Sequence, residues 1–66
     1  MKFPLNEMVY VDTNGNWDFY IKHCEREWYV KAYPAGTMDV TKRSMAGFDR
    51  KRDALKCVEA WKSWMK

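Results

Sequence analysis

An excess of acid, paired cysteines, a second histidine, runs of glycine and long apolar stretches are all missing from these 66 residues. Each absence removes a class of function. The formal net charge is +3, which argues against an acidic mimic of nucleic acid. Cys24 and Cys57 stand apart with no C-x-x-C spacing, and His23 is the single histidine. That is too few donors for the tetrahedral set a structural zinc requires. The three glycines stand singly at turns, so no Gly-rich loop is available to cradle a phosphate. No apolar run approaches the roughly 20 residues of a membrane-spanning helix. The opening Met1-Lys2-Phe3-Pro4-Leu5-Asn6-Glu7 has no apolar run of signal-peptide length. The chain therefore reads as a cytoplasmic protein that does not enter a membrane, with both thiols reduced.

Catalytic constellations are scarce for the same reason. Nucleophilic chemistry needs a nucleophile, a base and an orienting group within reach of one another. His23 falls at the end of a strand pattern, on its apolar face, where a structural role is expected. The carboxylates are scattered among basic residues, which suits solvated ion pairs better than an acid/base dyad. No enzyme activity, cofactor or metal is predicted.

What the chain has in quantity is aromatic surface. Trp17, Trp28, Trp61 and Trp64 join four tyrosines and three phenylalanines, 17% of the sequence. A domain this short buries only about 60% of the surface its unfolded chain exposes. Its core supplies only about 3–5 kcal/mol without a staple. Large rings compensate, each burying about 150–250 Å². The number of rings leaves two readings open: a very aromatic core, or a core plus rings turned toward a partner.

The order of elements follows from periodicity and turn chemistry, within a single domain covering 1–66. Met8 to Asp12 alternates and is rich in β-formers, predicting a first strand. Asn14-Gly15 supplies the positive φ angles of a tight hairpin. Trp17 to His23 is a second strand, with Trp17, Phe19, Ile21 and His23 on one face and Asp18, Tyr20 and Lys22 on the other. Trp28 to Tyr33 is a third, with Trp28, Val30 and Ala32 opposed to Tyr29, Lys31 and Tyr33. A helical reading of 24–33 competes, since Ile21, Cys24, Trp28 and Ala32 also fit helical spacing. The Trp-Tyr-Val content and the proline after Tyr33 favour the strand. Pro34-Ala35-Gly36 forces a turn. Thr37 to Thr41, with Met38 and Val40, is the candidate fourth strand, and Lys42 to Gly47 reads as a loop.

From Arg50 to Met65 the pattern is helical, with Asp49 as the expected N-cap and Asp53 adding negative charge near the helix start. Ala54, Val58, Trp61 and Met65 form one stripe. Leu55, Cys57, Ala60 and Trp64 widen it to roughly 220°. That arc exceeds what one sheet covers. Either Phe3-Pro4-Leu5 folds back over the helix flank, or Trp64 meets a second protein, including a second copy of this chain. The fold class is thus α+β: a three- to four-stranded antiparallel sheet packed on one C-terminal helix.

Charge is uneven along the chain. Residues 1–33 carry four basic and five acidic side chains; residues 34–66 carry eight and four. Much of the excess is Lys42, Arg43, Arg50, Lys51 and Arg52 against Asp49, a patch of the kind that binds polyanions.

Two segments resemble a known module. In Asn14-Gly15-Asn16-Trp17-Asp18-Phe19-Tyr20 a Gly-x-Trp hairpin opens the second strand. In Gly47-Phe48-Asp49-Arg50-Lys51-Arg52-Asp53-Ala54 a Gly-Phe turn leads into the helix. Together, over about a quarter of the chain, these resemble the small sheet-plus-helix domain of phage-type tyrosine integrases, the arm-binding or AP2-like type. They are also similar to the YegP-like family of unknown function. The first resemblance implies a sheet face that approaches DNA.

Two functional expectations follow. The leading one is a small non-catalytic binding protein, of phage type and acting in the host cytoplasm. It would modulate or inhibit a host enzyme or defence complex through Trp64 and the tyrosine face, with a homodimer through the helix as a further possibility. The alternative is a DNA-binding module. Its sheet face (Tyr20, Lys22, Tyr29, Lys31 and Tyr33) would approach the nucleic acid, and Lys42, Arg43, Arg50, Lys51 and Arg52 would contact phosphates.

Overall fold

The computed structural model describes residues 7–65. Four strands precede one helix: β1 (Met8–Thr13), β2 (Trp17–Cys24), β3 (Glu27–Pro34), β4 (Ser44–Phe48) and α1 (Lys51–Trp64), with a 3₁₀ turn at Val40–Lys42 between β3 and β4. Every neighbouring pair is antiparallel, in the order β1-β2-β3-β4. The helix packs across one face of this sheet. The expected α+β architecture is therefore what the chain adopts, and residues 27–34 are strand rather than helix.

The core follows the alternation of β2 and β3. Phe19, Ile21, Val30 and Ala32 are fully buried against Ala54, Val58 and Met65 of the helical segment. Trp17, Trp28, Phe48, Leu55, Cys57 and Trp61 pack around them, partly buried. At the far end of the same face the His23 ring stacks on Trp28, centroids 3.8 Å apart and planes within 3°.

Asn14 shapes the first hairpin through its side chain. Its Oδ1 accepts from the Asn16 and Trp17 N–H groups at 2.9 and 2.8 Å, an Asx turn. Of the turn residues only Gly15 has positive φ, at 93°. The connection is therefore a three-residue loop rather than a two-residue primed turn. In the second hairpin Glu25 takes φ 55°, a left-handed conformation that costs a non-glycine residue about 1–2 kcal/mol.

A β-bulge in β1 decides what meets the helix. Tyr10 faces Tyr20, but Asp12 faces Phe19, leaving Val11 as the extra residue. Val11 packs against the core, and Asp12 reaches Lys62 of α1 at 2.5 Å. The ammonium of Lys62, followed by the Thr13 N–H, holds the Asp12 carboxyl below its ordinary 3.8. The same contact raises Lys62 above 10.5. A carboxylate held low stabilises the fold above its unfolded pKa, and that contribution fades as pH falls through the lower folded value. The lysine contributes below 10.5 and loses its share as pH rises through the folded value. The stability gap between the wild-type chain and Asp12→Asn is accordingly expected to be constant near neutrality. It should close in acid below pH 3.8, as urea titrations at stepped pH would show.

Two boundaries differ from expectation. The fourth strand is Ser44–Phe48, not Thr37–Thr41, and most of the segment read as loop is strand. The cause is Asp39. Its Oδ1 accepts from the Thr41 N–H at 2.9 Å and the Thr41 hydroxyl at 2.7 Å, closing a 3₁₀ turn that competes with extended backbone. The helix N-cap is Arg50, not Asp49, and no side chain caps the first turn. The expected carboxylate sits one residue too early. A cation then occupies the positive end of the helix dipole. Arg50→Ser is expected to raise stability by about 1 kcal/mol, read as a higher urea midpoint at unchanged slope.

The helix buries a narrower arc than its sequence offers. Leu55 and Cys57 are half-buried, while Ala60 and Trp64 are exposed, Trp64 at 65%. The proposed cover from Phe3-Pro4-Leu5 lies outside the described residues.

Candidate functional site

The face of the sheet turned away from α1 is built by the odd-even alternation of four strands. Register sets its residues in rows across the sheet. One row runs Tyr10, Tyr20, Lys31, Met45; the next runs Met8, Lys22, Tyr29, Gly47. A third places Thr13, Asp18 and Tyr33 side by side. Rows of one face are separated by two residues, about 7 Å.

The aromatic part is a ladder of perpendicular rings. Tyr10 and Tyr20 meet edge to face with centroids 5.7 Å apart, and Tyr20 meets Tyr33 in the same way at 5.7 Å. Tyr10 is 52% exposed at the outer end, Tyr20 is intermediate and Tyr33 is buried at the inner end. Tyr33 therefore braces Tyr20 rather than offering surface of its own. Tyr29 belongs to the neighbouring row. Its hydroxyl bonds the Glu27 carboxylate, and that contact is the first cause of its raised pKa. Gly47 matters here not for its φ but for the close approach its missing side chain allows. A Cβ at that position would lie 3.2 Å from Tyr29 Cε1, so the ring edge takes the space a side chain would fill.

The cationic part gathers around Lys31. Burial lowers its pKa first, and the charges of Lys22 and Arg43 lower it further. Between Lys22, Lys31, Tyr29, Cys24 and Met45 lies an open depression of about 230 Å³. Two carboxylates border this group. Asp18 is on the Tyr33 row, where it raises the Tyr10 pKa after burial does, and Glu27 is held by Tyr29 at the turn end.

The basic stretch 42–52 does not act as one unit. The charge of Arg43 acts on Lys31 together with that of Lys22, while its Nη1 donates to the Val40 carbonyl at 3.4 Å. Lys42 ends the 3₁₀ turn. Arg50, Lys51 and Arg52 belong to the start of α1, on the other layer. Arg52 lines a separate apolar groove with Val11, Leu55, Lys56, Val58 and Glu59. Trp64 is likewise remote in the fold, on the helix and not on the tyrosine face. Sequence reasoning missed Tyr10 and Met45, the two ends of the central row. The Met8-Tyr10 alternation against Val9-Val11 carried the signal for the first. Met45 carried no such signal, because Ser44–Phe48 has weak strand propensity.

Among the described residues no helix is long and apolar enough to cross a membrane. Comparison with family models, curated proteins and solved structures finds no match for this chain.

Proposed function

We propose that the chain is a nucleic-acid-binding module that uses the sheet face opposite its helix. The observation that carries this reading is the grouping of Lys22, Lys31 and Arg43, like charges drawn together beside the half-buried Tyr20 and Tyr29 rings, with the exposed Tyr10 next to Tyr20. Like charges at close range disfavour one another, and a partly desolvated lysine among them is a standing cost to the folded state. A polyanion removes that cost, and phosphate contacts supply most of the affinity in such complexes. Tyrosine rings beside the cations provide surfaces on which bases stack. The sheet-face part of the alternative drawn from sequence is kept. Its phosphate-contact set shrinks to Arg43, which joins Lys22 and Lys31.

The test is an amide titration with oligonucleotide at low salt. Shifts concentrated at Tyr20, Lys22, Tyr29, Lys31, Arg43 and Met45 are expected. Shifts confined to the helix, or none, would refute the reading.

A protein partner is the second reading, and one observation favours it. Trp64 is 65% exposed near the helix end, and Trp is a favoured interface anchor. Sedimentation of the chain alone, then with the Trp64→Ser variant, tests the simplest version, a homodimer. A monomer at high concentration removes the homodimer. A modulator of a host enzyme would instead be recovered with one stoichiometric protein after nuclease treatment.

A further inference from the structure

The form of nucleic acid follows from the breadth of the face. We infer that the sheet binds a single strand, laid along the rows of tyrosines and cations, rather than a duplex entered through a groove. The inference rests on the nucleic-acid reading above and adds the ligand class to it.

Neighbouring strands lie about 4.8 Å apart, so four of them span about 14 Å between the outer axes before side chains are added. The major groove is only about 12 Å wide and admits a helix or a two-stranded ribbon. Here β4 is a full member of the sheet, paired with β3 from Trp28–Phe48 to Ala32–Ser44. A three-stranded sheet would have ended at β3. The added strand brings Met45, 53% exposed, onto the edge that would have to pass between phosphate walls. Lys31 and Lys22 lie on the two central strands and Arg43 stands where the β4 edge begins, so most of the charge is in the middle of the face rather than along its rims. Walls of a groove are met at rims; a strand lying on the surface is met in the middle.

The chemistry of the rows fits an unpaired strand. Tyr20 stands directly across from Lys31, and Lys22 directly across from Tyr29. Ring and cation thus alternate in both directions at the spacing of strands and rows. A base on the Tyr10–Tyr20 surface leaves its phosphate within reach of Lys31. The depression beside Lys22 and Lys31 is open and of a size to seat that phosphate and part of a sugar. Stacking needs unpaired bases, which a duplex does not present. Asp18 at one end and Glu27 at the other repel backbone phosphates, which confines the track to the two central rows. Among the described residues this face offers rings and cations rather than a donor–acceptor pair aimed at one base edge, so the binding is tolerant of sequence.

Fluorescence anisotropy with the full chain tests this. The probes are labelled 12-nucleotide single strands of DNA and of RNA, a 12-base-pair DNA duplex and inorganic polyphosphate. Single strands are expected to bind at least tenfold tighter than the duplex and than polyphosphate. Tyr10→Ala is expected to weaken single-strand binding several-fold, and Tyr20→Leu by roughly tenfold, both leaving polyphosphate binding unchanged. Tyr20 also braces its neighbours, so the Tyr10 variant, at the exposed end, keeps the test valid if Tyr20→Leu does not fold. Equal or tighter binding of duplex overturns the single-strand inference and leaves the nucleic-acid reading standing. Polyphosphate binding as tight as single strands overturns the stacking on which the inference depends. Failure of every probe overturns the nucleic-acid reading itself.

Discussion

Asn14→Ala is expected to lower the unfolding free energy by about 2–4 kcal/mol. The Asn14 side chain joins two ends of the molecule. Its Oδ1 holds the hairpin, accepting from Asn16 and Trp17. Its Nδ2 donates to the Met65 carbonyl at 2.5 Å and to the Lys62 carbonyl at 3.4 Å. The Lys62 carbonyl belongs to the last turn of the helix, where acceptors lack intrahelical partners, and Met65 is the residue that caps its end. One alanine substitution therefore opens the turn, uncaps the helix and unfastens hairpin from helix. Each hydrogen bond contributes a net of about 0.5–1.5 kcal/mol, and the total rivals what a core this small supplies. Asn14→Asp separates the two jobs. It keeps the acceptor of the Asx turn but sets a carboxylate against the negative end of the helix dipole. That carboxyl is expected above its ordinary pKa of about 4, so the variant gains stability as pH falls from the raised folded value toward about 4, as the group becomes a donor again. Asp12, held low in both proteins, costs stability only below pH 3.8. Between about pH 6 and 4 the urea midpoint should therefore rise for Asn14→Asp relative to the wild-type chain.

The same residue shows how far the fold was legible. Asn14-Gly15 announced a hairpin, and the hairpin is there. The helix-capping half of the side chain's work was not visible, because its partners lie 48 and 51 positions away. The alternating faces of β2 and β3 were readable because a half-buried strand repeats every two residues. The position of β4 was not. Thr37 to Thr41 has the better strand composition, but Asp39 has a local partner in Thr41 and closes a turn. Ser44 to Phe48, with a glycine, has weak propensity and forms a strand because β3 offers a register and Tyr29 fills the space over Gly47. Tertiary pairing overrode local preference in both places. The helix start failed by one residue for a related reason: Asp49 is a good cap by type, but the chain leaving β4 puts Arg50 at the boundary.

The site was legible in part. Alternation placed Tyr20, Lys22, Tyr29 and Lys31 on one face, and the structure keeps them there. It could not tell which strand neighbours would cover, so Tyr33 looked as open as Tyr29 and is buried. Proximity in sequence overstated the basic stretch. Lys42 to Arg52 spans a turn, a strand and a helix start, and those elements diverge. Only Arg43 comes to the sheet cations. Trp64 was read as either core or interface, and the fold leaves it exposed.

Lys31→Met is the substitution that most sharply divides a binding residue from a structural one. Lys31 stands partly desolvated between Lys22 and Arg43, and its charge is disfavoured by all three circumstances. Removing the ammonium while keeping an apolar stem relieves the repulsion and retains the packing. The urea midpoint is expected to rise. Nucleic-acid affinity is expected to fall, because each phosphate contact on a single strand contributes about 0.7 to the slope of log affinity against log salt. With three sheet cations engaged, the wild-type slope is expected near about −2, a loss of roughly twentyfold between 50 and 200 mM salt. Lys31→Met should flatten it by about 0.7, and the Lys22→Met/Lys31→Met/Arg43→Met protein should be close to insensitive. The Arg50→Ser protein, altered on the other layer, should keep the wild-type slope while gaining stability of its own. A stabilised Lys31→Met protein that binds with wild-type affinity and slope would remove the sheet cations from function. Gain of stability with loss of binding is the pattern of a charge the fold tolerates for its ligand.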